Sequence, residues 1–136
     1  MPIFEWKEEY ANGVEPMDQN HREVLRLALD LETAVGTNAV RADLLQKFDL
    51  AFEAIQSGMV QEEILLKQAA YPAFRFHKRE HDDLLQILIE YREKVVEGSA
   101  SICLSSLGFL GGWLVSHFKS EDRCACQFLL QLAKAS

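Results

Sequence analysis

The sequence predicts an all-α protein, an antiparallel up-down-up-down four-helix bundle preceded by an extended N-terminal arm. Three observations carry this. Apolar residues recur at steps of three and four through four long stretches, the connections between those stretches are short, and no run alternates apolar and polar residues as a strand would. With 136 residues, 49% of them hydrophobic, and only 7 Gly and 3 Pro, the chain reads as one domain over residues 1–136 with apolar material for a single core.

Residues 1–16 show no sustained period, carry Asn12-Gly13 and end in Glu15-Pro16, so they predict an arm with a turn, pinned by Trp6 and Tyr10. A first helix is expected from about Met17, with Asp18 as cap or first-turn anion and Pro16 limiting its backward extension. Its inward face reads His21, Val24, Leu25, Ala28, Leu31 and Val35, and Gly36-Thr37-Asn38 stops it. The second helix is expected over about 40–70. Its seam is Leu44, Leu45, Phe48, Phe52, Ile55, Met59, Glu62, Leu66 and Ala69, in which Glu62 is the single charge.

Tyr71-Pro72 breaks that helix, because proline lacks a donor and restricts the residue before it. A third helix over about 73–97 shows Phe74, His77, His81, Leu84, Leu88 and Val95 on one face, with Gly98 as C-cap. A fourth, expected to run unbroken over about 102–133, turns Leu107, Leu110, Leu114, His117, Cys124, Phe128 and Leu132 inward. The chain could be a domain cut from a longer protein.

A formal net charge of -7 without a Lys/Arg cluster argues against nucleic acid or an anionic membrane as partner. The nearly uncharged run 102–118 is shorter than the roughly 20 residues a spanning helix needs, and it carries Gly108, Gly111 and Gly112. No basic and apolar leader is visible at the start, which predicts a cytoplasmic location. Three cysteines read as reduced thiols. Cys124 and Cys126, two apart on a helix, point about 200° from each other and cannot share a metal, so they read as packing residues.

The chemistry lies in the histidines. A lone histidine on an apolar face is usually a satisfied core residue, yet all 4 here fall on inward faces, on three helices. His77 and His81 leave one helix face a turn apart and can grip one ion. A metal satisfies one nitrogen of each ring and leaves the other to an outer acceptor, whereas neutral burial needs a partner for every nitrogen. Glu62 fits the same reading, since a buried carboxylate needs pairing and no Lys or Arg shares its stripe; the alternative is a salt bridge from a neighbouring helix. The seam is therefore expected to hold a pair of metal ions, with Asp122 a further candidate ligand. Spacing from His117 favours Glu121 over Asp122, unless a wide turn brings Asp122 inward. Val24, Met59, Trp113 and Leu114 lie near these groups and would wall a small-molecule pocket.

These residues resemble the hemerythrins, specifically the bacterial hemerythrin-like domains, over nearly the whole chain. Trp6, Gly13-Val14 and Met17-Asp18-Gln19-Asn20-His21 are similar to the family's arm and first-helix motif. Glu62-Glu63, Tyr71-Pro72 and His77-x-x-x-His81 are similar to its middle motif, and Trp113-Leu114-Val115-Ser116-His117 through Asp122 to its last. The resemblance implies two iron ions (Fe2+/Fe3+) joined by an oxo or hydroxo bridge, binding O2 reversibly when reduced. It implies that His77, His81 and His117 hold one iron, that His21 holds the other, and that Glu62 and Asp122 bridge them. It is the resemblance that favours Asp122 over Glu121.

In the family a further histidine stands four before the bridging glutamate. Here that position is Gly58, and neither Gln61 nor Met59 replaces it. The His21 iron is then expected to be labile, with positions open to water, O2 or a small exogenous anion on the side where Gly58 removes bulk. Fast autoxidation follows from a wet position, which suits an O2 or redox sensor signalling to an attached output module. The alternatives are a reversible O2 carrier and a di-iron enzyme acting on peroxide or nitric oxide. For the enzyme, Cys103 and Glu63 are the remaining proton-delivery candidates.

Overall fold

A computed structural model describes residues 2–135. Its helices are α1 (Glu15–Gly36), α2 (Arg41–Gln68), α3 (Phe74–Glu97), α4 (Leu104–Lys119) and α5 (Glu121–Ala135), with a short 3-10 turn at Glu8–Tyr10. The four-helix bundle is as expected, and no strand occurs among the described residues. What differs is the last helix. Ser120, at φ -116 and ψ -82, interrupts it, so that α4 and α5 replace one unbroken rod.

That break changes which residues face inward. The periodic reading placed Cys124, Phe128 and Leu132 in the seam; instead Asp122, Ala125 and Cys126 are buried. Cys124 is exposed, Phe128 is half-buried and Leu132 is 45% exposed. A helical period propagates only while the backbone angles repeat, and one non-helical residue resets it. Cys126 is a packing residue, its Sγ 3.6 Å from the buried Met17 sulfur.

Two smaller corrections concern α1. It begins at Glu15 rather than about Met17, because Pro16 occupies the first turn, where its missing N–H would be unpaired anyway. On the same helix Ala34 is buried where Val35 was expected, and Val35 packs only partly against the core. The other expected boundaries hold to within a residue or two: α3 ends at Gly98, with φ 90, a left-handed conformation glycine adopts without strain.

The arm is tied down along its length. Glu32 of α1 accepts hydrogen bonds from the Ile3 and Phe4 N–H groups, and Phe4 is 1% exposed. Tyr10 is buried between Trp6, edge-on at 5.8 Å, and Phe118 of α4 at 6.5 Å, while the Arg22 guanidinium lies 4.6 Å from the Trp6 ring centre. The buried Asp18 carboxylate accepts the Asn12 N–H at 2.8 Å and the Gly13 N–H at 3.0 Å, folding the arm back over the start of α1.

Asp18→Ala removes a charged acceptor and leaves two partly buried N–H groups unpaired. It is expected to lower unfolding free energy by on the order of 2–4 kcal/mol, read as an earlier urea midpoint at unchanged slope.

Candidate metal centre

Each of the bundle's four long stretches delivers a polar side chain to one point in the apolar seam. α1 supplies His21, α2 Glu62, α3 His77 and His81, α4 His117, and α5 Asp122; all six are buried. The Ser120 interruption is what turns Asp122 toward them, through a helix break rather than a wide turn. Glu121 stays at the rim, half-buried, taking a hydrogen bond from the Ser120 hydroxyl.

The ligating atoms of Glu62, His77, His81, His117 and Asp122 lie within 4.8 Å of one another. The two carboxylates divide their oxygens between the histidines. Glu62 Oε1 faces His77 Nε2 at 3.3 Å and His81 Nε2 at 3.4 Å, and Asp122 Oδ1 faces His77 Nε2 at 3.0 Å and His117 Nε2 at 3.1 Å. His21 Nε2 instead lies nearest the opposite oxygens, Glu62 Oε2 at 2.8 Å and Asp122 Oδ2 at 3.1 Å. The cluster thus has a three-histidine side and a one-histidine side, with both carboxylates spanning them.

Hydrogen bonding alone does not account for this arrangement. The Asp122 oxygens are buried and lie close to imidazole nitrogens, and yet meet none of them in hydrogen-bond geometry. His81 Nδ1 lies 2.8 Å from Glu63 Oε2 and His117 Nδ1 3.2 Å from Glu80 Oε1. A carboxylate only accepts, so those outer nitrogens carry the protons and the Nε2 lone pairs face inward. The two Nε2 atoms are 3.2 Å apart, a repulsive arrangement unless a cation, proton or metal, lies between. No Lys or Arg pairs with Glu62 or Asp122 among the described residues. Nitrogen and carboxylate donors converging in this way fit a first-row metal, and the outer carboxylates fit the usual support of metal-bound histidines.

Aromatic rings hold two ligands from behind. Phe118 stacks on His21 with centroids 4.0 Å apart, and Trp113 stacks on His117 at 4.7 Å. Beside the cluster, bordered by His21 and also by His81 and His117, is a cavity of about 20 Å³ open to the centre of a water molecule, room for about one. Val24, Gly58, Met59, Trp113 and Leu114 all line it. Asn20, Ile55 and Phe118 line it as well and were not anticipated. Glu80 was also missed; its place between His77 and His81 was visible, but its reach to His117 depends on helix packing. Cys103 lies at the N-cap of α4, and does not line this cavity. No helix among the described residues is long and apolar enough to cross a membrane.

Without a metal, protons must compensate the carboxylates. Burial lowers the pKa of His21, but Asp122 and Glu62 outweigh it and raise it to about 10; the same balance raises His77 to about 9 and lifts His117. Burial and Asp122 push Glu62 up, but His21, His77 and His81 prevail and hold it at about 2. Asp122, also opposed by burial, is held well below its ordinary value by His117, His21 and His77. The raised histidine values stabilise the fold fully below pH 6.5, and that contribution is lost as pH climbs through about 9 to 10. The depressed Glu62 value stabilises above pH 4.5, and that contribution is lost as pH falls through about 2. Chelator-treated protein should therefore melt highest between about pH 4.5 and 6.5, set by these ordinary values. Metal uptake should release protons. A melting temperature that stays flat up to pH 10 in metal-free protein would contradict this balance.

Residues 12–124 match the sequence profile of the hemerythrin HHE cation binding domain. The chain is similar to the bacteriohemerythrin of Stenotrophomonas maltophilia, 28% identical over 90% of this chain and 79% of that one. It is also similar to the bacteriohemerythrin of Methylococcus capsulatus, at 23% identity over 90% and 94%. Its fold matches the crystal structure of a wild-type hemerythrin with a TM-score of 0.87 and 23% identity, covering 92% of this chain and 96% of that one. The profile spans most of the chain and covers all six clustered side chains, His21, Glu62, His77, His81, His117 and Asp122, so the chain belongs to the hemerythrin HHE cation binding domain family.

Proposed function

We propose that this chain is a non-haem di-iron O2-binding domain, and that it acts as an O2 or redox sensor rather than a store. The observation that carries the reading is the uneven division of the Glu62 and Asp122 oxygens between three imidazoles and one. His77, His81 and His117 would hold one iron, His21 the other, and the two carboxylates would bridge them. When bound, the irons supply reversible O2 binding and one-electron redox chemistry at the seam.

The remaining work is done by the chain. Glu63 and Glu80, each taking a ring proton, fix the orientation of His81 and His117. Phe118 and Trp113 prevent His21 and His117 from tilting, and Val24, Met59 and Leu114 exclude bulk water from the one-histidine side. Gly58 contributes no ligand there. Its backbone borders the cavity, and a water-sized species can occupy the space beside His21. A protein that must release O2 unchanged needs that space dry; one that reports O2 or redox state by changing its own charge does not.

Stopped-flow mixing of the reduced, iron-loaded chain with O2 tests the reading. Rapid single-pass oxidation is expected; a long-lived oxygenated spectrum would mean a carrier, and sustained peroxide or nitric oxide turnover with a reductant would mean an enzyme. His77→Ala should lower iron content from two per chain toward one or none, since it removes a nitrogen facing both carboxylates. Gly58→His should slow oxidation by about tenfold, the effect of ~1.4 kcal/mol in a barrier. The new Cβ would sit 3.4 Å from Asn20 Cβ, an ordinary contact, and the ring beyond it would displace the Asn20 carboxamide.

A further inference from the structure

Asn20 reaches from α1 across the gap at Gly58. Its Cβ and Cγ lie 3.4 and 3.7 Å from where a β-carbon on residue 58 would stand, so its carboxamide covers the place a side chain on α2 would fill. Its Nδ2 donates to Gln61 Oε1 at 3.1 Å on the solvent side. Asn20 lines the water-sized cavity, whereas Gln61 does not. Apart from the clustered ligands and Trp113, whose ring is committed to stacking on His117, the rest of that lining is apolar.

We propose that Asn20 is the ligand-selecting residue of the one-histidine side: its amide, turning off Gln61, donates a hydrogen bond to a small anion held beside His21. This rests on the reading of that side as an open cation position. The two groups have complementary roles. Gln61, exposed and outside the cavity, holds the amide away while no ligand is present; Asn20 supplies the donor once one enters. An exposed amide pair is a weak tether, because water competes for both partners. A ligand carrying negative charge competes better than water, since hydrogen bonds to ionised acceptors are the stronger kind. A cavity with room for about one water limits the ligand to something slim, such as a linear triatomic anion entering end-on.

The test is azide titrated into the oxidised, iron-loaded full chain, followed by its visible charge-transfer band, with iron counted in each sample. Asn20→Leu keeps the bulk and removes the donor; azide should bind about tenfold more weakly while iron content stays at that of the unaltered chain. Unchanged azide affinity in Asn20→Leu overturns the proposal. Gln61→Leu, a surface change, should speed azide association by releasing the amide, and an unchanged rate overturns the tether. If the unaltered chain takes up fewer than two irons, the reading of the metal centre fails and the proposal falls with it, which separates the two failures.

Discussion

Everything else in this structure depends on two carboxylates buried in an apolar seam. Glu62 and Asp122 are respectively 3% and 1% exposed, and an uncompensated charge at that depth costs several kcal/mol after relaxation. Among the described residues nothing but imidazole stands close enough to answer them. Three helices must therefore bring their histidines to the level of Glu62 and Asp122, and registry between helices is set by charge as well as by packing. The core divides accordingly. Leu88, Val95 and Leu107 belong to the apolar core and line no part of the cavity beside the cluster, while the arm, with Phe4 and Tyr10, packs over α4.

The same constraint explains why α4 and α5 are two helices. A continuous rod carrying His117 inward places the residue four later on that face, which is Glu121, whose longer side chain would have to fit a site already crowded by three rings. The interruption at Ser120 advances the register by one residue and presents the shorter Asp122. The displaced Ser120 hydroxyl then has one proton to donate between two acceptors, the Ser116 carbonyl and the Glu121 carboxylate, so the break is bridged locally by its side chain.

How much of this was legible in the sequence follows from the range over which each signal acts. The bundle, the stops at Tyr71-Pro72 and Gly98, and the inward placement of the four histidines and Glu62 came from periodicity and backbone chemistry, which are local. The Ser120 break was not legible, because Ser116 to Arg123 contains neither glycine nor proline, and its cause is the tertiary demand for Asp122. Hence Cys124 and Leu132 were placed inward by extrapolating a period past the point where it resets. Asp122 itself was favoured by family resemblance against spacing. Glu80 and Asn20 were unreadable for another reason: each acts on a residue of a different helix, and single-chain periodicity carries no information about which rotamer crosses a gap.

The two sides of the cluster are built with different stiffness, and this follows from their outer contacts. His81 and His117 each have a carboxylate on the outer nitrogen, which fixes tautomer and ring plane. His21 Nδ1 has no hydrogen-bond partner among the described residues and relies on the stacked Phe118 ring, which restrains tilt but places no proton. A buried donor without an acceptor is itself a cost, of about 1–3 kcal/mol. The one-histidine side is therefore the one with fewer outer contacts, and Gly58 adds no side chain beside it. On α1, the helix that carries His21 also carries Asp18 and Glu32, the two carboxylates that anchor the arm, so the least supported ring of the cluster and the arm share one element.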